Sequence, residues 1–185
     1  MSEIVILSGS PFESSRSDQV LRYLGRLLQQ KGFQVTHISV RDVPHNDLFF
    51  ANFNSPVIER IAKQIRDSSG IIVGSPVYKA AFSGVLKTLI DILPQEILEG
   101  KPVLPLMTGG SKSHLLALEF SLKPLLATLK GQNLKGIYLT DQEVDKESLE
   151  PILDIDTLAR TKKQLDYFTE IIKKQSNPIP EHYTI

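Results

Sequence analysis

Residues 70–91, GIIVGSPVYKAAFSGVLKTLID, constrain the fold more than any other stretch of the chain. The segment opens with Ile71-Ile72-Val73, a β-branched apolar run suited to a central parallel strand buried on both faces. Gly74-Ser75-Pro76 is expected to stop that strand, because proline cannot donate to a ladder and glycine permits a sharp change of direction. Residues 77–83 read as a short loop carrying an aromatic, a cation and small residues. From Gly84 the pattern turns helical, with Val85, Leu86, Leu89, Ile90 and Leu93 along one side. Open α/β sheets bind ligands in loops that leave the carboxyl ends of central strands, so this loop is the first candidate site.

The same alternation runs through the rest of the chain. Ile4-Val5-Ile6-Leu7 is a buried strand ended by Ser8-Gly9-Ser10-Pro11, and a helix beginning near Ser17 or Asp18 runs to Gly32. A second strand covers residues 33–40, followed by an irregular connection over 42–54. Ser55-Pro56 starts another helix, with serine as cap and proline in the first turn. Beyond the central segment come a strand over 102–107 ended by Thr108-Gly109-Gly110, a helix over 113–130, a fifth strand over 134–140, an acidic linker and a final helix over 156–174. Pro124 removes a donor from the 113–130 helix, which predicts a kink, wide turn or π-bulge between Phe120 and Pro124. The apolar set Leu116, Phe120 and Leu126 exceeds one helix face, so part of it is expected to meet another subunit.

Five strands alternating with helices predict an α/β fold, a doubly wound parallel sheet covered by helices on both faces. The flavodoxin-like order 2-1-3-4-5 uses five strands and places the first, third and fourth side by side. One domain over residues 1–175 with a C-terminal tail over 176–185 accounts for the length. With 21 basic and 21 acidic residues the formal net charge is zero, which argues against nucleic acid or an anionic membrane as partner. No cysteine is present, and the four histidines show no metal-ligand spacing. No apolar run reaches the ~18 residues of a membrane span, and nothing resembles a signal peptide, so a cytoplasmic protein is expected.

Three strand-end loops then converge on one crevice. The first, with Ser10, Ser15, Arg16 and Ser17, offers hydroxyls, a guanidinium and free N–H groups at a helix start, which suits a terminal phosphate. It lacks the Gly-Lys-Ser/Thr of a triphosphate loop and the Gly-x-Gly-x-x-Gly of a dinucleotide site. The second, Pro76-Val77-Tyr78-Lys79, can lay backbone and an aromatic ring against a planar heterocycle. The third, Thr108-Gly109-Gly110, can bring bare backbone close to a ring edge. Each loop alone is compatible with an ordinary helix cap or turn; together they describe a site for flavin mononucleotide (FMN).

Leu7-Ser8-Gly9-Ser10-Pro11 with Ser15-Arg16-Ser17, the whole of 70–91, and Pro105-Leu106-Met107-Thr108-Gly109-Gly110 resemble the NADPH-dependent FMN reductases. Among these, the chain is similar to the flavin reductases of bacterial sulfonate-utilisation systems, from Ile4 to about Tyr138, including His114-Leu115-Leu116-Ala117 and Leu122-Lys123-Pro124. The resemblance implies a flavodoxin-like fold, FMN, reduction by NADPH or NADH, homodimers or homotetramers, and a partner monooxygenase that receives reduced flavin. It assigns Ser10, Ser15, Arg16 and Ser17 to the phosphate, Pro76, Val77, Tyr78 and Lys79 to the ring face, and Thr108, Gly109 and Gly110 to the ring's polar edge. The sulfonate-system members carry tyrosine where this chain has Phe120. Hydride transfer to a flavin needs no acid, base or nucleophile from the protein, so neither a catalytic side chain nor a metal is expected. Backbone N–H groups near Tyr78, Lys79, Gly109 and Gly110 are expected to tune the ring. Two other readings use the same scaffold: an FMN-containing reductase of quinones, azo dyes or metal ions, and a flavodoxin-type electron carrier. The absence of tryptophan and of net negative charge speaks against the carrier.

Overall fold

The computed structural model describes residues 2–176, in which helices and strands alternate around one parallel sheet. The strands are β1 (Glu3–Ser8), β2 (Gln34–Ser39), β3 (Gly70–Pro76), β4 (Pro102–Gly109), β5 (Gln132–Asn133) and β6 (Ile137–Thr140). The α-helices are α1 (Arg16–Gln30), α2 (His45–Phe49), α3 (Pro56–Asp67), α4 (Gly84–Asp91), α5 (Leu115–Ala117), α6 (Lys123–Thr128) and α7 (Ile155–Ser176). Their order across the sheet is β2-β1-β3-β4-β5, with β6 also paired to β4. This is the doubly wound, flavodoxin-like arrangement expected from the alternation. Residues 177–185, and with them nearly all of the expected tail, lie outside the described residues.

The strands bury both faces. Ile4, Ile6, Ile72, Leu104 and Ile137 pack with the apolar faces of α1 and α7, while Val5, Leu7, Ile71, Val73 and Met107 pack with α3, α4 and α6. Serine caps start the helices that matter for the site. Ser15 Oγ accepts from Asp18 N at 3.1 Å for α1, and Ser83 Oγ accepts from Leu86 N at 3.1 Å for α4.

Three departures from the expected elements have physical causes. Gly74-Ser75-Pro76 does not stop β3; the pairings Gly74–Leu106, Ser75–Met107 and Pro76–Thr108 continue the ladder to Pro76, where a missing donor costs no interior bond. The expected irregular connection contains α2, whose Asp47 accepts from Asn52 Nδ2 at 2.8 Å and Ser55 Oγ at 2.5 Å. The fifth strand expected over 134–140 is shortened to β6, and a separate two-residue β5 pairs with β4 ahead of it. Val103 O accepts from Leu134 N at 2.9 Å, so Val103, and Pro105 two residues on, turn their backbone groups toward that edge. Pro105 has no N–H to give there. Gly136 stands beside it at φ +85°, so close that a Cβ would lie 3.0 Å from both Pro105 Cγ and Pro105 O.

The bent helix takes the form of a π-helical turn over Leu118–Leu122 between α5 and α6. Pro124 cannot donate to Phe120 O, and Ser121 Oγ donates to Ala117 O at 2.6 Å, so the ladder widens by one residue. Leu126 is buried, whereas Leu116 and Phe120 are exposed, Phe120 by 77%.

Candidate active site

Four strand-end segments are stitched into one rim. Gly9 N donates to Gly74 O at 2.7 Å, and Ser83 Oγ donates to Gly9 O, joining the first loop to the second. Val77 N donates to Thr108 O at 2.8 Å, joining the second to the third. Tyr138 Oη donates to Ser111 O at 2.5 Å, and Arg16 Nε donates to Asp141 O at 3.0 Å, which closes the ring through the segment after β6. Inside the rim is a crevice of 590 Å³, a size typical of small-molecule sites.

Of the eleven residues singled out from the sequence, the crevice is lined by Ser15, Arg16, Pro76, Val77, Tyr78, Thr108, Gly109 and Gly110. Ser10 is not on its wall. It is fully buried, and its hydroxyl donates to Phe12 O at 3.0 Å and accepts from Phe12 N at 3.1 Å, so it shapes the loop from within. Ser17 is also fully buried, with Oγ 3.3 Å from Ser15 Oγ. Lys79 sits on the outside of a tight turn. Phe12, Glu13, Ser14, Asp141 and Lys146 line the crevice without having been picked out. Asp141 had a legible signal: it follows the last strand, whose carboxyl end reaches the same crevice.

At one end of the crevice stands the start of α1. Ser15 N-caps it by taking Asp18 N, which leaves the N–H groups of Arg16 and Ser17 without an acceptor among the described residues. The positive end of the helix, these N–H groups and the adjoining Arg16 guanidinium favour an anion here, although across the whole lining Arg16 and Lys146 are matched by Glu13 and Asp141. Arg41 holds this end from behind, its Nη1 donating to Ser10 O at 3.0 Å and Phe12 O at 3.1 Å. Its other terminal nitrogen lies 3.8 Å from the buried Asp18 carboxylate.

At the other end the chain folds back in a two-residue turn. Tyr78 N donates to Ala81 O at 2.8 Å and Ala81 N donates to Tyr78 O at 3.1 Å, so the Tyr78 N–H expected to face a ring is used within the turn. Lys79 and Ala80 occupy left-handed backbone at φ +48° and +63°, a type I′-like geometry that glycine or asparagine adopts more easily. The strain is held in place by the Ser75 Oγ that accepts from Ser83 N at 2.9 Å. Ala80→Gly should therefore raise stability by about 1 kcal/mol, or roughly 2–4 °C in melting temperature for a chain of this size. A thermal melt that shifts downward would show that the turn is unstrained. Tyr78 is 40% exposed beside this turn. Burial pushes the phenols of Tyr78 and Tyr138 above the usual tyrosine value, and Asp141 and Glu143 add to the effect at Tyr138; both remain neutral at physiological pH. Gly109 lets the third loop close, since a Cβ there would stand 2.8 Å from Tyr138 Oη and 3.2 Å from Val77 Cβ.

A helix start with free N–H groups and a turn bearing Tyr78 line one crevice at the switch point of a doubly wound sheet, an arrangement with the chemistry to take a planar heterocycle carrying a terminal phosphate. The fold and site define a flavodoxin-like protein. Residues 2–145 match the family model described as "NADPH-dependent FMN reductase", and the chain belongs to that family. It is 37% identical over 179 residues to an FMN reductase (NADPH) of Escherichia coli K12, covering 96% of this chain and 94% of the relative. It is 40% identical over 179 residues to an FMN reductase (NADPH) of Pseudomonas putida KT2440, covering 95% and 91%. Among solved structures, an NADH:FMN oxidoreductase (EMOB) in its apo form superposes with a TM-score of 0.81 at 30% identity, covering 92% of this chain and 90% of that one.

Proposed function

We propose that this chain is a cytoplasmic NAD(P)H:FMN oxidoreductase that works as a homodimer or homotetramer and hands reduced flavin to a partner monooxygenase. The observation that carries the reading is the closed rim around one crevice, with the α1 terminus at one end and the Tyr78 turn with Gly109 at the other. Family membership supports the reaction class, and the printed activities of the relatives support FMN as the acceptor and a nicotinamide nucleotide as the donor. The likeness to sulfonate-utilisation reductases supports the monooxygenase. Exposed Phe49, Phe50, Phe53 and Phe120 support further subunits. No helix among the described residues is long and apolar enough to cross a membrane.

FMN, when bound, supplies the two-electron acceptor that takes one hydride from NAD(P)H and one proton from solvent. The chain's part is placement. Ser15, Arg16, the free N–H groups of α1 and the loop shaped by Ser10 and Ser17 hold the phosphate. Pro76, Val77 and Tyr78 back one face of the ring, Lys79 keeps the turn beside it, and Thr108, Gly109 and Gly110 border its polar edge.

Two measurements test this. Mixed anaerobically with NADPH and a large excess of FMN, the protein should bleach many equivalents of free flavin. No NADPH oxidation would leave only an electron carrier, and bleaching limited to one equivalent would leave a reductase of another acceptor. Second, Arg16→Ala should weaken FMN by several-fold to about tenfold, since a partly exposed charged hydrogen bond sits at the low end of its range. Riboflavin, which lacks the phosphate, should be nearly unaffected. Equal loss for both flavins would remove the phosphate from this end.

A further inference from the structure

A second cavity, of about 630 Å³, opens at the outer edge of the sheet between α7, β6 and the π-helical turn. Tyr138 lines the second cavity, and its hydroxyl stands against Gly109, which lines the first. The floor of the cavity is apolar, with buried Leu118 and Ile137.

Its rim carries Lys112, Lys135, Arg160 and Lys163, and none of the four lies within 4.0 Å of a carboxylate among the described residues. Two acids share the lining, and both are already engaged. Glu119 pairs with Lys123 at 2.7 Å. Glu143 accepts from Thr140 N at 2.7 Å, Thr140 Oγ1 at 2.7 Å and Thr157 Oγ1 at 2.8 Å. Burial pushes the Glu143 carboxyl up, but these bonds outweigh it and hold the group below the usual carboxylate value, so it stays ionised. Four cations against two carboxylates leave a local excess of positive charge in a chain whose formal net charge is zero. Gln164 also lines the cavity, and its Oε1 is buried without a donor among the described residues.

These features select a ligand class. A purely apolar occupant would strand Gln164 and the cations, and a bare inorganic anion would leave the apolar floor unused. A phosphorylated purine meets all three: the ring covers Leu118 and Ile137, a glutamine amide pairs with the N6 and N7 edge of adenine, and the cations take phosphate.

We propose that this cleft holds the adenosine 2′-phosphate end of NADPH, with the nicotinamide end reaching around Tyr138 into the first crevice. The proposal rests on reading the chain as a flavin reductase, and it makes Arg160 and Lys163 the residues that distinguish NADPH from NADH.

The probe is adenosine 2′,5′-bisphosphate, titrated calorimetrically into the full chain. It should bind, compete with NADPH in steady-state assays, and lose about tenfold in affinity with Arg160→Ala or Lys163→Ala, the loss of one charged hydrogen bond. The same variants should lower the ratio of kcat/KM for NADPH to kcat/KM for NADH by about tenfold. Gln164→Leu should weaken the bisphosphate while leaving that ratio within roughly twofold, because adenine is common to both donors. Absence of binding, binding indifferent to all three variants, or inhibition that is not competitive with NADPH would overturn the proposal. Flavin fluorescence with FMN reads the first crevice separately. A chain that reduced no flavin would refute the reductase reading, while calorimetry would still decide whether the cleft takes the nucleotide.

Discussion

Replacing Phe168 by alanine is expected to lower stability by about 3–5 kcal/mol, the usual cost of emptying a buried aromatic site. That is a large share of the roughly 5–15 kcal/mol that holds a domain together, and at about 2–4 °C per kcal/mol it amounts to roughly 6–20 °C in melting temperature. The reason lies in how α7 docks. Its buried positions are Thr157, Thr161, Leu165, Phe168, Thr169 and Ile172, and half of them are threonines that contribute little apolar area. Phe168 is completely buried, and with Ile172 it rests directly over Gly70 of β3, where no side chain intervenes. Because the contact is remote from the crevice, FMN affinity measured well below the new melting point should be unchanged. A shift smaller than about 3 °C would mean that the helix relaxes to fill the space.

Arg41→Ala should act on the site without touching its ligand. The guanidinium is the clasp of the first loop, bonded to Ser10 O and Phe12 O and facing Asp18. Its side chain is only 24% exposed, so these are not freely solvated contacts. Losing them should cost about 2–3 kcal/mol, after discounting for partial solvation. The released loop must then be ordered by the incoming flavin, which should weaken FMN about tenfold through KM while kcat stays within about twofold. Arg41→Lys should recover part of the loss, since an ammonium can reach one carbonyl but not span two. Unlike Arg16→Ala, the Arg41 variant should weaken riboflavin as well, because the shape of the loop is lost along with the charge. An FMN dissociation constant within twofold of the parent would show that the loop holds its shape unaided.

The contrast between these two arginines shows what could be read from the chain alone. Arg16 sits in a serine-rich loop after the first strand, so its neighbourhood is written in adjacent letters. Arg41 lies 31 residues from Ser10 in sequence and reaches it only because β2 pairs with β1. Local grammar was legible for the same reason: Ser55-Pro56 starts α3, and Pro124 forces the π-helical turn, since each acts on its own turn of helix. Alternation pointed to a parallel sheet, and the strand order came from the common doubly wound arrangement that uses five strands. What escaped was set by neighbours across the sheet. Gly74-Ser75-Pro76 looked like a terminator, yet β4 supplies pairing partners up to Pro76. Ser10 looked like a phosphate ligand, but its hydroxyl is turned inward to Phe12. The start of α1 falls one or two residues before the expected Ser17 or Asp18, because several nearby serines could cap it and only Ser15 has a side chain that meets Asp18 N.

Pro105 also bears on how the molecule behaves among its own copies. The outer margin of a sheet offers unpaired amide and carbonyl groups to any strand that drifts past, and long, straight margins seed aggregates. Here that margin is cut into two- and four-residue pieces, displaced by the left-handed Gly136 between them. Neither piece gives an incoming chain enough consecutive partners to dock in register. At this margin, the proline that denies the sheet one hydrogen bond inside the fold also denies an incoming strand a continuous edge, which leaves the six-residue β2 as the longer open edge.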